Sequence, residues 1–302
     1  RGRGLLDNLM AAVLEEGLRE RGEVISTLFP TAPGIYRRYG YELISSYDTV
    51  EIPTARLASV PKPQKTTVRR ATAPDFDAAR RVYATWAAGQ NGPLTRTGES
   101  FSADADVFVN DFTGVTIAES DGEVVGYASW NRGSGYDVTS TLEIADFIAL
   151  TRDATLALWR VFASFATVTG NVRLSSSGRD SARLVLPFHD WPVVHSIPYM
   201  LRVHDVSGAF SGLAPRQPIS FSVAGDLLET TNGDWSLTAD GEVVPGTPGG
   251  PTFAPRGLAQ FYAGAASCAD LRMSGLLTGP TDQDTALDAL FDGRQLHIRD
   301  YF

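Results

Sequence analysis

Arg1-Gly2-Arg3-Gly4-Leu5-Leu6 and, one strand further on, Ile35-Tyr36-Arg37-Arg38-Tyr39-Gly40-Tyr41 are the two stretches on which the reading of this 302-residue chain turns. The first sets two glycines and two cations ahead of an amphipathic helix. Leu5, Leu6, Leu9, Met10, Val13, Leu14 and Leu18 recur at helical spacing up to Arg21, and Gly22 supplies a stop. The leading N–H groups of a helix have no intrahelical partner and sit at the positive end of its dipole, and glycine lets the backbone approach an anion closely. The turn is therefore built to cradle a pyrophosphate. It lacks the third glycine of a dinucleotide fingerprint and the Gly-Lys-Ser/Thr of a P-loop. A solvated basic turn capping the helix is the alternative these six residues leave open.

Working outward, Val24 to Phe29 suits a buried strand, Pro33 opens a short helix ending near Gly40, and Tyr41 to Ile52 reads as a second strand. Loop, helix, strand, helix, strand is the second half of an α/β unit, so the chain is expected to begin inside a domain and to be a fragment. Residues 1–52 form this half. Prolines 53, 61 and 63 with Lys62 and Lys65 make a linker over 53–65. A second unit, 66–197, repeats the order in full. It has a strand at Val68, a helix from Pro74, a hairpin turning on Asp121-Gly122, a strand over Leu142 to Leu150, a helix over Asp153 to Thr169 and a strand over Val172 to Ser175. Residues 198–302 place strands first and helices after, with a Pro/Gly-rich hinge from Pro245 to Pro255, which argues for a small α+β domain.

Composition narrows the functions open to such a chain. With 43% hydrophobic and 20% charged residues it is neither disordered, collagen-like nor coiled coil, and no apolar run is long enough to span a bilayer. A single cysteine, Cys268, excludes a disulfide scaffold and points to a reducing, cytoplasmic compartment. The formal charge of −9 disfavours nucleic acid and favours cationic partners. Four scattered histidines have no metal-ligand spacing, so no metal is expected.

The Arg-Gly loop, followed by Tyr36 ahead of a Gly40-Tyr41 pair, resembles the coenzyme A half of a GNAT-superfamily N-acetyltransferase. The resemblance implies that Gly2, Arg3, Gly4, Leu5 and Leu6 bind the phosphates of acetyl-CoA, that Thr31 and Ala32 lie along the pantetheine arm, and that Tyr36 protonates the departing thiolate. Tyrosine suits that task, because a phenol of pKa about 10 stays protonated at neutral pH beside a thiol of about 8.5. Packing of Tyr36 as a core aromatic is the other reading of that position.

Over the whole chain the order of units, with Leu201-Arg202-Val203-His204-Asp205-Val206 and the ending Asp300-Tyr301-Phe302, resembles the Eis family. That resemblance implies two GNAT-like units, the first incomplete, then a sterol-carrier-protein-like domain: α/β followed by α+β. It implies acetylation of aminoglycoside-like or other cationic amines, with the α-carboxylate of Phe302 as general base. It also implies a homo-oligomer, as relatives form hexamers. Because an α-carboxyl ordinarily titrates near 3.3–3.7, such a base would need burial to raise it. At the corresponding helix start of the second unit stand Thr151-Arg152-Asp153-Ala154, with no glycine and an acid where phosphate would lie, so this unit is not expected to bind coenzyme A. Asp153 is read there as a favourable first-turn acid, Cys268 as a small buried residue, and Arg37 and Arg38 as a solvated face. A lipid- or small-molecule carrier working through the third domain is the competing class of function.

Overall fold

A computed structural model describes residues 5–101, 104–177, 180, 182–189, 191–291 and 294–302, and they fall into two compact units. One combines the chain up to Ser46 with Pro198–Arg294. The other combines Tyr47–Ile197 with Gln295–Phe302. The last eight residues, which the sequence reading leaves in the third domain, thus pack with the second. No described helix is long and apolar enough to cross a membrane.

The first unit begins with α1 (Leu5–Glu20), β1 (Ile25–Leu28), α2 (Pro33–Arg37) and the start of β2 (Glu42–Pro53). These match the elements read from the sequence. Helix α1 uses one side only for packing. Met10, Leu14 and Leu18, spaced by four, join Tyr39, Tyr41, Met200 and Leu228 in a small core, while Leu5, Leu9 and Val13 stay exposed. Gly40 is obligatory after α2. Its φ is +84°, and a Cβ there would run into the Arg202 guanidinium.

In the second unit the chain runs β3 (Thr67–Arg70), α3 (Phe76–Ala87), α4 (Ala105–Asn110), β4 (Gly114–Ser120), β5 (Glu123–Arg132), β6 (Thr141–Ala149), α5 (Arg152–Ala163), β7 (Asn171–Ser176), α6 (Ala182–Val185) and β8 (Val193–Val203). Its sheet has the order β2-β7-β6-β5-β4-β3, with β6 and β7 parallel and the remaining pairs antiparallel. A parallel pair needs a crossover, and α5 is that crossover. Its inner stripe of Leu156, Leu158, Trp159 and Phe162 is fully buried. Trp159 lies 4.6 Å from the Phe147 ring and 5.8 Å from Trp191, ring centre to ring centre. The expected linker is no free tether. Leu57 and Val60 are buried in this core, and the N–H groups of Gln64, Lys65 and Thr66 donate to Asp153.

The first unit is completed by the end of β8, whose Met200–Val203 run pairs antiparallel with β1, and by α7 (Val206–Phe210), β9 (Ile219–Val223), β10 (Gly233–Leu237), β11 (Val243–Pro245), β12 (Thr252–Phe253), α8 (Pro255–Tyr262), α9 (Cys268–Met273), β13 (Leu277–Thr278) and α10 (Asp284–Ala289). The strands form a sheet ordered β11-β10-β9-β12-β13. The expected hinge contains β12, which pairs with β9 on one side and β13 on the other and carries the buried Phe253. Phe210, Phe221, Phe253 and Phe261 pack ring against ring beneath this sheet.

Candidate functional site

Gly2, Arg3 and Gly4 lie outside the described residues. Leu5 and Leu6 open α1 with 68% and 42% of their surface exposed. The acid of that first turn, Asp7, would oppose an anion at the helix start, but the Arg38 guanidinium counters its charge. Oδ1 accepts from the Tyr39 hydroxyl at 2.6 Å and from Arg38 Nη2 at 3.0 Å. This clip ties the beginning of α1 to the segment just past α2 and raises the Tyr39 phenol, chiefly through the hydrogen bond itself.

Thr31, exposed, and Ala32, half-buried, join β1 to α2, whose Pro33 pre-sets the first turn. Tyr36 is half-buried on α2, its ring edge-on to Tyr41 at 6.0 Å, so it belongs in part to the core. The carbonyl of Tyr36 accepts from the N–H of Tyr39 and of Tyr41, which fixes the turn that follows. Arg37 and Arg38 are engaged rather than simply solvated. Arg37 pairs at 2.7 Å with Glu42, a buried carboxylate that also accepts from Leu43 N–H and Arg256 Nε. Burial alone would raise the Glu42 carboxyl; those donors hold it below its ordinary range.

Behind Tyr41 lies a polar row that the sequence reading missed. The Tyr41 hydroxyl and Ser26 Oγ are 2.6 Å apart, and Ser26 Oγ is 2.6 Å from Nε2 of the buried His204. Burial and the neighbouring Arg202 push His204 down to about 4, so it is neutral at pH 7. Arg202 is itself buried and bonds to the carbonyl of Tyr39 and to both carboxylate oxygens of Asp226.

Phe302, the other expected catalytic residue, belongs to the second unit and is 63% exposed. Tyr301 beside it stacks loosely on Tyr47, at 6.0 Å, and the Tyr47 hydroxyl donates to Ser175. Ser175 in turn lines a cleft of about 360 Å³ together with Thr49, Glu143, Arg173 and His195, which is the size of a small-ligand pocket. Arg173 stands between Glu51 on β2 and Glu143 on β6, and its Nε donates to Glu51 at 2.8 Å. The cleft lining thus carries one carboxylate, Glu143, and one guanidinium, Arg173.

At the start of α5, Thr151 caps Ala154 N–H, and Asp153 accepts three backbone N–H groups at 2.7–2.9 Å. Those three bonds hold its carboxyl far below the usual range. The acid thus does more than complement the helix dipole. It fastens residues 64–66 to the helix.

Comparison with known proteins follows the same division. Models of an acetyltransferase (GNAT) domain match residues 1–44 and 92–203, and a sterol carrier protein domain matches residues 206–299. An uncharacterized N-acetyltransferase of Streptomyces avermitilis is 28% identical over 262 residues, covering 80% of this chain. The chain spans 62% of the length of that relative. A GCN5-related N-acetyltransferase from Kribbella flavida superposes with a TM-score of 0.80 at 29% identity, covering all of this chain and 76% of the other. Eis1 from Mycobacterium abscessus superposes with a TM-score of 0.77 at 21% identity over all of this chain and 79% of its own, a likeness of fold. The chain carries two GNAT domains followed by a sterol-carrier-protein-like domain, the order its sequence led us to expect.

Proposed function

We propose that the protein is an N-acetyltransferase of the Eis type, moving acetyl from acetyl-CoA to an amine of an aminoglycoside-like or other cationic small molecule. The observation that carries this reading is the Asp7 clip. It joins the start of α1 to the chain two and three residues past Tyr36, and it sets a guanidinium against the first-turn carboxylate that would repel a phosphate. The described residues therefore fit the group. The backbone N–H groups of Gly2 to Leu6 and the Arg3 side chain would hold the phosphates, with Thr31 and Ala32 along the arm. Acetyl-CoA, when bound, supplies the acyl group as an activated thioester.

The chain's own residues then have proton work to do. The amine attacks in its neutral form, the Phe302 carboxylate takes the proton the nitrogen sheds, and the Tyr36 hydroxyl gives its proton to the departing sulfur. The role of Phe302 rests on the sequence resemblance alone. The chain's formal charge of −9 supports a cationic acceptor. A hexamer belongs to the same proposal, and the mass in solution by light scattering checks it.

Tyr36→Phe tests the assignment in the intact protein. Turnover is expected to fall on the order of 100-fold, with acetyl-CoA affinity by calorimetry unchanged. An undiminished rate removes Tyr36 from the mechanism.

A further inference from the structure

Parallel strands that diverge leave backbone groups that must find partners elsewhere. In the second unit β6 and β7 pair only from Thr141 opposite Asn171 to Ile144 opposite Leu174. Beyond that point the carbonyls of Phe147 on β6 and Ser175 on β7 both accept from one guanidinium, that of Arg299, at 2.9 and 3.0 Å. The guanidinium also lies over the Trp86 ring.

The chain on either side of Arg299 is held as firmly. Asn91 and residues 295–297 exchange two backbone hydrogen bonds of 2.8 Å, and Ile298 N–H donates to Ser177 Oγ at 2.8 Å. Only glycine serves at position 92, where φ is +91° and a Cβ would come within 2.5 Å of the His297 carbonyl. Asp300 accepts from Arg96 Nε at 2.8 Å, and the same guanidinium pairs with Asp146 and lies 4.0 Å over the Tyr83 ring. Arg96 has φ +52°, a left-handed conformation that L residues rarely adopt. The backbone is thus held against its preference in presenting one cation to two carboxylates. Burial then stops abruptly: Ile298 is 3% exposed and Tyr301 61%.

We infer that Arg96 and Arg299 are positioning residues: by anchoring Asp300 and bridging the open edges of β6 and β7, they fix the stretch of chain from which the terminal carboxylate is presented. The inference rests on the reading of that carboxylate as base. Two extended residues reach at most about 7 Å from Asp300. Released from its anchors, a tail of eight residues would have a root-mean-square reach of about 16 Å. The volume open to the carboxylate rises roughly tenfold, and its effective concentration at any one point falls in proportion.

Asp300→Ala, which leaves Arg96 paired with Asp146, tests this in the intact protein. Because Arg299 still holds the chain, three extended residues then reach about 10 Å instead of about 7 Å, and we expect kcat to fall roughly threefold with KM for acetyl-CoA unchanged. Carboxypeptidase, read by intact mass, should trim the wild type only through Phe302 and Tyr301 but run further in the variant. Asp300→Asn, which keeps an acceptor for Arg96, should restore most of the rate, and Arg299→Lys, which loses the two-carbonyl bridge, should behave like Asp300→Ala. A glycine appended after Phe302 separates the two ideas. If that extension alone leaves kcat intact, the base reading fails. If it abolishes turnover, adding Asp300→Ala should slow the residual rate no further. Losses that multiply, a change confined to KM, or wild-type trimming and rate in Asp300→Ala overturn the positioning role.

Discussion

Helices α1 and α5 each lead into a strand of their own unit, and they treat their amino termini in opposite ways. At α5 the positive end of the helix is supplied with an internal anion, as Asp153 gathers the N–H groups of Gln64, Lys65 and Thr66. At α1 the sequence ahead of the helix is glycine and arginine, and the nearest acid, Asp7, is occupied by Tyr39 and Arg38. A helix terminus has room for about one anion among its unpaired donors. Where the chain provides that anion, the helix end is a structural joint; where it does not, the end is available to a ligand. On the proposed reading, two GNAT domains thereby take on different work through a handful of residues.

Gly4→Asp is the strongest way to break this contrast, because it sets a second acid at the start of α1. A wild-type protein at an acetyl-CoA concentration 100 times Kd should gain about 2.7 kcal/mol in a thermal-shift experiment, and the variant none. Stabilisation that survives the substitution removes the α1 terminus as the phosphate site. Stabilisation of the wild type by apolar ligands alone would favour the carrier reading of the third domain.

Each unit buries a histidine that burial holds below its ordinary value, His204 in the first and His297 in the second, which makes acid a probe of both. In the first unit His204 is neutral, and burial beside Arg202 lowers it to about 4 from an ordinary value near 6.5. A lowered histidine means that the unfolded chain binds the proton more readily. Stability is therefore fully present above about pH 6.5 and declines toward pH 4, by on the order of 2–3 kcal/mol. In the second unit, burial would raise Asp146, but Arg96 outweighs it and holds the carboxyl low. That contribution persists until the pH falls below the ordinary carboxylate range. Asp300 works against this loss, since burial raises it and its protonated form is the better tolerated at low pH. Hydrogen exchange between pH 7 and 4.5 should therefore show protection falling around Ser26, Tyr41 and His204 in the first unit and around His297 in the second. In His204→Gln that pH dependence should flatten in the first unit.

Much of the frame was legible because it is written in short-range chemistry. Asp121-Gly122 takes up the two positive φ angles of a tight hairpin turn, 53° and 85°. The apolar spacing of α1 and α5 gave both helices, and α9 could have been found from its Ser267/Asp270 capping box. What stayed hidden depends on partners far along the chain. Residues 53–65 looked like a linker because two apolar side chains, Leu57 and Val60, make no periodicity. Their burial, and the grip of Asp153 on residues 64–66, arise only in the folded core. Tyr36 is singled out by its motif, but Arg96 sits in a polar loop and meets Asp300 only in the folded unit.

The finest test of the contrast is Asp153→Asn. The substitution keeps one carbonyl oxygen as acceptor and removes the charge that three backbone donors share. Because the group is only half-buried, the loss should be modest, about 1 kcal/mol or less. Its pH signature is distinctive. A carboxyl held below its ordinary value contributes above about pH 4 and stops contributing as the pH falls further. Wild type and variant should therefore differ in denaturant midpoint at pH 7 and converge only well below pH 3. Freeing the α5 terminus in this way should still not create a second cofactor site, because no glycine there lets the backbone close around a phosphate and Thr151 already caps the first turn. Calorimetry with acetyl-CoA should return one equivalent per chain for the variant as for the wild type. A second equivalent would mean that Asp153 alone kept α5 closed, and that the difference between the two helices is one side chain deep.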